Sequence, residues 1–355
     1  MREVAVVSFA ASGVAKETEH NEVEIIVPVL RDAIAGSGLE KTEIDFVCSG
    51  SLDYLFGGPF AFVAGVDAVG AVPPIRESHV EMDAAWALYE AWCYIQTGDV
   101  DSALIFGFSK GSLGDVYEIL TMQTDPYSLL PLWPSAIHMA GLQARAYLES
   151  SGRTERDLCE VAARSRVNAQ QTQYAVRAGD TTADALLAQP KTADPLRASD
   201  VFAVADGAAA VVIAAGDVAR RVCPRPAWIR GLEHRIEAHQ LGLRDLTRSE
   251  STEAAATAAG VRAGEDKVDV AELHVQFSHE ELILADALGI AGPDSATVVN
   301  PSGGPLAGNC LMAAGLERFG EAARRIWAGD ADRAVAHATS GPCLQHNMVA
   351  VLEGD

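Results

Sequence analysis

Short apolar segments alternate with longer amphipathic segments along the first half of the chain. Strands are predicted at VAVVSFA, IDFVCSG, SHVEM, SALIFGF and GAAAVVIAA, because each is a short apolar or alternating run bounded by turn residues. Between them, EVEIIVPVLRDAIAGSG and DAAWALYEAWCYIQTGD carry apolar residues at helical spacing and reach a glycine suited to a helix C-terminus. This order predicts an α/β fold.

The second half of the chain repeats this order. Its predicted strands are AWIRGLE, ELHVQFS, TVVNPSG, RAVAHATS and NMVAVLE, and its predicted helices are LTRSESTEAAATAAGVRAG, HEELILADALGI and CLMAAGLERFGEAARRIWAG. A repeat of this length favours duplication over a solenoid. We therefore expect two βαβ-rich halves, residues 1–219 and 220–355, with mostly parallel sheets.

A region between Lys110 and Pro195 lacks the strand–helix rhythm. It contains two amphipathic segments, PLWPSAIHMAGLQARAYLESSG and DLCEVAARSRVNAQQ, and it is rich in Leu, Trp and Tyr around Tyr127–Trp133. Insertions at the carboxyl ends of parallel strands commonly shape substrate sites. We expect this region to form a cap on the first half.

Composition limits the kinds of partner. The chain has 355 residues, 49% apolar and 21% charged, with a formal net charge of −22, so nucleic acid and anionic membranes are not expected partners. The longest apolar run, 208–215, is far shorter than the ~20 residues of a membrane-spanning helix. Six scattered cysteines without metal-site spacing fit a reducing cytoplasm and predict no metal site. The N-terminus resembles a strand rather than a signal peptide.

Four separated segments resemble motifs of the thiolase superfamily, in the same order. They are Asp194–Ala214, His274–Ile290, Asn300–Gly315 and Gly341–Glu353. The resemblance covers essentially the whole chain and implies a thiolase-like fold, with two duplicated halves in α-β-α-β-α layers and an inserted cap domain. The segment ESHVEMDAAWALYEAW is most similar to actinobacterial lipid-transfer-like thiolase homologues of the sterol-carrier-protein type, which include steroid side-chain-cleaving aldolases.

The departures from the thiolase pattern concern catalysis. When Ala84 is aligned with the turn glycine of the family, Glu81 stands where the nucleophilic cysteine is expected. A carboxylate is unsuited to acyl-thioester formation but can act as a base. Cys310 stands in place of the Gly-His-Pro histidine, and the second thiolase cysteine falls near Gly341–Cys343. His274 matches the histidine that polarises the thioester oxygen.

The resemblance and the residue types give four candidate catalytic residues. His274 is either an oxyanion donor or a core histidine. Glu81 is either a base or a first-turn residue favoured by the helix dipole, and Asp83 competes with it for both roles. His346 is either the general acid/base or a structural histidine. Cys310 is either a thiol of lowered pKa before a helix or a small residue that fills space.

Substrate-binding residues are expected in two places. Gly303, Gly304 and Gly308 lie in a glycine-rich loop whose backbone N–H groups suit a thioester or pantetheine. The phosphates of coenzyme A need clustered positive charge on so acidic a chain. The candidate cations are Arg164 and Arg166, together with Arg145, Arg197, Arg220 and Arg221.

The function implied by the resemblance is retro-aldol cleavage of a β-hydroxyacyl-CoA, with a steroid or sterol side chain as the acyl group. No cofactor is required, since coenzyme A is part of the substrate. The expected partners are a second copy or a second thiolase-like subunit, paired through the SHVEM strand, and a DUF35-type OB-fold protein. The alternatives are a non-catalytic subunit that pairs with an active paralogue and, third, an acyl-CoA thiolase or acyltransferase.

Overall fold

The computed structural model describes residues 2–12, 19–173, 175–262, 267–292 and 295–355. The first half contributes strands β1 (Val4–Ala11), β2 (Phe46–Gly50), β3 (Glu77–Val80), β4 (Ser102–Lys110) and β7 (Asp206–Ala215). The second half contributes β8 (Ala227–Ile236), β9 (Val270–Glu272), β10 (Val298–Val299), β11 (Arg333–Ser340) and β12 (His346–Glu353). The short strands β5 (Lys191–Ala193) and β6 (Leu196–Arg197) form a separate hairpin.

The helices lie between these strands. Those of the first half are α1 (Glu22–Ser37), α2 (Asp53–Phe56), α3 (Phe62–Val69), α4 (Ala84–Thr97) and α9 (Gly216–Val222). The inserted region contains α5 (Val116–Met122), α6 (Ala136–Ser151), α7 (Glu155–Asn168) and α8 (Ala183–Leu187). The second half has α10 (Glu250–Ala259), α11 (Ser278–Ala287) and α12 (Ala314–Ala328). None of the described helices is long and apolar enough to cross a membrane.

The two halves have the same strand topology. The order across the sheet is β10-β9-β11-β12-β8-β1-β7-β4-β2-β3. Number the five strands of each half by their order along the chain. From the β8–β1 junction outward, both halves then have the order first, fifth, fourth, second and third. The junction itself is short, with Ala5 opposite Trp228 and Val6 opposite Ala227. The predicted duplication is therefore visible in the strand order.

The helices and the two halves of the sheet form five layers. α4 and α12 contact each other in the middle, in a core cluster that includes Ile105 of the first half and Leu352 of the second. α1 covers the outer face of the first half, where Ile26 packs in a cluster with Val212. α10 and α11 cover the outer face of the second half. The predicted α/β class and layered thiolase-like architecture are confirmed.

Three details of the expected architecture compare with the structure as follows. The halves are not mostly parallel, because the last strand of each half lies antiparallel between the first and the fourth strands. Only the second strand of each half has parallel neighbours on both sides. The inserted region extends from the end of β4 to the start of β7, past the predicted limit at Pro195. The division at residues 219 and 220 falls within α9, which packs against β1.

Candidate active site

A cavity of about 220 Å³ lies where β9 and β11 end and the inserted region covers them. β9 and β11 are parallel neighbours, so the residues that follow both strands meet at one edge of the sheet. Met139 of α6 and Leu120 of α5 line the cavity from the inserted region. The polar or ionisable residues of its lining include Asp83, Gln123, His239, His274, Thr339 and Cys343.

His274 lies two residues after β9 and is 1% exposed. Its Nδ1 accepts a hydrogen bond from the backbone N–H of Thr339 at 3.4 Å, whereas Nε2 has no partner among the described residues. Burial holds the pKa of His274 well below its usual range, and His337 and Arg318 lower it further. The imidazole is therefore neutral, and acceptance at Nδ1 assigns its proton to Nε2. His274 is a neutral donor with an unused N–H in the wall of the cavity.

Asp83 is the N-cap of α4 and is 3% exposed. Its carboxylate accepts hydrogen bonds from the backbone N–H groups of Ala85, Gly315 and Leu316. Burial raises the pKa of Asp83 to about 6, against the lowering effect of these bonds and of Arg318. The side chain is thus a buried carboxylate that is largely ionised at neutral pH.

Cys343 lines the same cavity from the loop between β11 and β12. Its backbone has a φ of 56°, in the left-handed region, and its carbonyl accepts a hydrogen bond from Nε2 of Gln143. Gln143 Oε1 lies 3.1 Å from Nε2 of the buried His279. Burial raises the pKa of the Cys343 thiol to about 12. The thiol is therefore protonated at neutral pH and suits a proton donor better than a nucleophile.

The chain has relatives among curated proteins, although no protein-family model matches it. It is 26% identical over 348 residues to an acetyl-CoA acetyltransferase of Methanocaldococcus jannaschii, covering 90% of this chain and 89% of that protein. It is 24% identical over 389 residues to sterol carrier protein 2 of Gallus gallus, covering 98% and 70%. It is 27% identical over 243 residues to the 17-hydroxy-3-oxo-4-pregnene-20-carboxyl-CoA lyase of Mycobacterium tuberculosis, covering 64% and 61%.

Solved structures match over almost the full length. The structure named Ltp2-ChsH2(DUF35) aldolase superimposes with a TM-score of 0.82 at 18% identity, covering 99% of this chain and 98% of that one. Human mitochondrial 3-ketoacyl-CoA thiolase superimposes with a TM-score of 0.78 at 16% identity, covering 100% and 99%. The chain has the thiolase fold. The resemblance to the thiolase superfamily that the sequence predicts is confirmed.

Glu81 does not reach the cavity of this thiolase fold. Its side chain is 48% exposed and accepts a hydrogen bond from the backbone N–H of Asp53 at 2.7 Å, with Nε2 of His79 at 3.3 Å. It lines a separate surface depression with Asp53 and Tyr54. Asp83, two residues later, is the member of this turn that faces the interior. The structure therefore separates Glu81 from His274 and does not support it as the base.

His346 is not part of the cavity lining, although its carbonyl accepts a hydrogen bond from the hydroxyl group of Thr339. Its Nε2 accepts a hydrogen bond from Nε1 of Trp86 at 3.3 Å and lies 3.1 Å from Nδ1 of His234. Burial lowers the pKa of His346 to about 4, and His234 adds to the effect. His346 thus belongs to an aromatic cluster against α4, and its contacts do not support a role as the general acid/base.

Cys310 stands where the thiolase pattern has its Gly-His-Pro histidine. It is fully buried, and its thiol donates to the backbone carbonyl of Gly207. Burial raises the pKa of the thiol well above its usual value, and the helix that follows begins only at Ala314. The expectation of a lowered pKa is wrong, because the thiol lies in the protein interior and not at a helix terminus. The space-filling interpretation fits these contacts.

The glycine-rich loop packs against the inserted region. Gly303 has a φ of 93°, and a Cβ there would lie 2.7 Å from the Cβ of Ala169, beyond the end of α7. The carbonyl of Gly303 accepts a hydrogen bond from the Ser165 hydroxyl. Gly304 and Gly308 are buried as well. These contacts explain the glycines by close packing, and they do not place the loop amides of Gly303, Gly304 or Gly308 on an open groove.

Most of the candidate arginines are already ion-paired. Arg164 pairs with the buried Glu281, so it is not available to bind phosphate. The other pairs are Arg145 with Asp194, Arg197 with Glu155, Arg220 with Glu3 and Arg221 with Glu43. Arg166 is half-buried on α7 and has no carboxylate partner among the described residues. Arg166 alone of these candidates keeps an unpaired charge.

A second, larger cavity of about 750 Å³ is also bordered by α5. Val116 and Tyr117 of α5 line it, whereas Leu120 lines the cavity of His274. Arg177 also lines it and donates hydrogen bonds to the carbonyls of Ala198 and Val201. Burial lowers the pKa of Arg177, and the charge of Arg166 lowers it further.

Sequence reasoning did not single out Thr339 or Arg177. Thr339 could have been found from the parallel pairing of β9 and β11, because the carboxyl-terminal ends of parallel neighbours lie at the same edge of the sheet. Arg177 lies in an irregular stretch of the inserted region without a motif. Arg177 becomes a candidate for phosphate binding only when the other arginines are known to form ion pairs, and the sequence does not show these pairs.

Proposed function

We propose that the chain is a carbon–carbon lyase that cleaves a β-hydroxyacyl-CoA by retro-aldol chemistry. The observation that carries the proposal is His274, a neutral buried donor with an unused Nε2–H in a cavity whose one lining cysteine is a protonated thiol. A donor of this kind stabilises the enolate oxygen that forms as the carbon–carbon bond breaks. The reaction needs no acyl-enzyme and therefore no thiolate.

The state of the cysteines argues against thiolysis, the chemistry that the names of the acetyltransferase relatives suggest. Thiolysis passes through a cysteine thiolate that becomes acylated. Burial raises the pKa of every cysteine in the chain: Cys48, Cys93, Cys159, Cys223, Cys310 and Cys343. None of them has the lowered pKa that marks a nucleophile.

The substrate we propose is an acyl-CoA whose nucleotide occupies the 750 Å³ cavity and whose thioester reaches His274. Arg177 lines the larger cavity without a carboxylate partner among the described residues, and its positive charge suits the phosphates of coenzyme A. The pantetheine arm would pass α5, which borders both cavities. We do not include Arg164 among the proposed phosphate-binding residues, because it already forms an ion pair with Glu281.

The names of one relative and one structural neighbour support a choice of acyl group and of partner. One relative is a pregnene-carboxyl-CoA lyase and one structural neighbour is an aldolase named with a DUF35 protein. We propose a steroid side-chain thioester as the substrate class, a DUF35-type protein as a partner, and a cytoplasmic complex. A dimer with a second thiolase-fold subunit would cover β3, which is an edge strand.

A non-catalytic subunit is the second candidate function. The loss of the thiolase nucleophile favours it, since Glu81 points to the surface and Cys310 is sealed in the core. The Nε2 of His274 argues against it, because this atom has no partner among the described residues and belongs to a residue that lines the cavity.

The test is a comparison of two reactions with the complex purified from its native cell. We expect cleavage of β-hydroxyacyl-CoA thioesters without added coenzyme A, and no thiolysis of acetoacetyl-CoA. A His274→Ala chain in the same complex should lose the cleavage. If the complex keeps full cleavage with that chain, the catalytic residues belong to a partner and the second candidate is correct.

A further inference from the structure

We propose that Asp83 is the general base of the cavity and removes the proton of the substrate's β-hydroxyl group as the carbon–carbon bond breaks. This inference rests on the retro-aldol function proposed above. Asp83 is 3% exposed and lines the same cavity as His274. The two side chains come from different halves of the chain and meet at one small chamber. One is a neutral donor and the other an anionic acceptor, as the cleavage requires.

The carboxylate is held by backbone N–H groups from two helices. Oδ1 accepts from Ala85 at 2.8 Å and from Leu316 at 3.2 Å, and Oδ2 accepts from Gly315 at 2.8 Å. These amides lie in the first turns of α4 and α12. The positive end of each helix dipole favours a negative charge at this point. Asp83 therefore remains an anion although it is buried.

Glycines allow the surrounding chain to close tightly on the turn that carries Asp83. A Cβ on Gly315 would lie 2.4 Å from Oδ1 of Asp83, and a Cβ on Gly107 would lie 2.3 Å from the carbonyl oxygen of Met312. A Cβ on Gly50 would lie 2.6 Å from the backbone N of Ala84. The turn is thus clamped between β2, β4 and the start of α12. A support of this rigidity is what a catalytic group needs to hold its position.

The other ionisable groups that line the cavity are less suited to the task. His274 is the donor to the enolate oxygen, and the thiol of Cys343 is protonated. His239 is exposed at the rim. Asp83 is the buried group that can accept a proton at neutral pH.

The basicity of Asp83 is matched to this role. Burial raises its pKa to about 6, and its ionisable neighbours are Arg318 and Glu317 of α12 and the thiol of Cys310. Arg318 lowers the pKa, and its ion pairs with Glu272 and Glu317 moderate that effect. A base whose pKa lies near the working pH is both deprotonated and strong enough to take a proton.

The proposed step conserves atoms and electrons. The hydroxyl proton moves to Asp83, the oxygen's electron pair forms the carbonyl of the departing ketone or aldehyde, and the Cα–Cβ bond pair moves into the thioester enolate. His274 donates to the enolate oxygen. The proton on Asp83 then passes to the enolate carbon, which yields the shortened acyl-CoA and restores the carboxylate. No oxidant, reductant or co-reactant is consumed.

The test is Asp83→Ser in the full chain, assayed in the same complex as the wild type. Serine keeps an N-cap acceptor for the Ala85 N–H but cannot take a proton at neutral pH. We expect kcat to fall by about 10²–10⁴-fold with KM nearly unchanged. The matched control is Asp53→Ser, which removes a carboxylate that also accepts two backbone N–H bonds but lies away from the cavity. The control should keep its turnover.

The pH profile separates catalysis from structure. Wild-type kcat should fall as the pH drops below about 6, because the protonated carboxyl cannot act as a base, and the residual activity of Asp83→Ser should lack this limb. Full turnover in a folded Asp83→Ser protein would overturn the proposal. A wild-type profile without the acidic limb would overturn it even if the variant failed to fold. A wild-type complex that cleaves no β-hydroxyacyl-CoA would instead overturn the function on which the proposal rests.

Discussion

At the scale of single residues, the decisive feature is the difference between the two nitrogens of His274. Nδ1 is fixed by the backbone N–H of Thr339, and Nε2 is buried without a partner among the described residues. A ligand in the cavity can therefore accept a hydrogen bond from Nε2 without competing with a protein acceptor among the described residues. The Nε2–H of His274 therefore suits an acceptor oxygen that gains negative charge during the reaction.

His274→Ala should lower kcat by about 10²–10³-fold with little change in KM, because the donor acts on charge that appears only in the transition state. His337→Ala is the matched control. His337 is also fully buried, but Nε2 contacts Oδ1 of Asn347 and the residue does not line the cavity. The control should lower the melting temperature and keep the turnover per folded molecule. An unchanged kcat in folded His274→Ala would reject the donor role.

Arg177→Ala should raise the KM for an acyl-CoA by roughly tenfold and leave kcat almost unchanged, since a lost phosphate contact of about 1.4 kcal/mol has that effect. Arg220→Ala removes a charge that pairs with Glu3 away from both cavities, and it should leave KM unchanged. Steady-state kinetics with one substrate compares the two. Equal KM values for Arg177→Ala and the wild type would remove coenzyme A from the larger cavity.

At the scale of elements, the passage from β3 to α4 explains both the success and the failure of the sequence alignment. The strand, the turn and the helix are where the hydrophobic pattern predicts them. The pattern does not reveal which turn residue faces the interior. Asp83 comes directly before the first helical residue and caps the helix inside the core, whereas Glu81 directly follows the edge strand and faces solvent. Only the packing of α12 against this turn distinguishes the two.

The edge strand β3 also gives a prediction about dimer formation. β3 is the last strand at one edge of the sheet. The carbonyls of Arg76 and Val80 accept hydrogen bonds from the backbone N–H groups of Val47 and Ser51, so they face β2. Successive residues of a strand point their backbone groups in opposite directions, so Glu77 presents its N–H outward. Glu77→Pro should therefore convert a dimer of the wild type into monomers without a large loss of melting temperature.

Ser78→Pro gives the comparison, because it removes an N–H that faces β2. It should lower the melting temperature whether or not the protein dimerises. Light scattering at micromolar concentration measures the assembly. A monomeric wild type, or a Glu77→Pro protein that remains dimeric, would contradict pairing through β3.

At the scale of the whole molecule, the fold was predictable because its signals are distributed. The repeated strand–helix order and the four motifs, which occur in the family's order, predict the thiolase fold. The strand order in the sheet confirms the duplication. The site was less predictable, because its chemistry depends on tertiary neighbours. The ion pair of Arg164 with Glu281 and the burial of Cys310 leave no local trace in the sequence. His274 was singled out because its segment resembles the thiolase motif, and the structure places it in the lining of the cavity.

The cysteines give a prediction for the whole chain. Cys93 and Cys223 are partly exposed, and the other four are buried with raised pKa values. Iodoacetamide at neutral pH should label the native protein at most at these two positions and leave the cleavage rate unchanged. Mass spectrometry locates the label. Labelling of Cys343 in the native protein would contradict its burial and its raised pKa.

In the proposed reaction, this thiolase fold breaks a carbon–carbon bond without a nucleophilic cysteine. The most direct measurement is the cleavage of a β-hydroxyacyl-CoA in D₂O, without added coenzyme A and after alkylation with iodoacetamide. We expect ketone or aldehyde and shortened acyl-CoA in equal amounts, with one deuterium on the α-carbon of the acyl-CoA. Cleavage that appears only with added coenzyme A, or that alkylation abolishes, would contradict it.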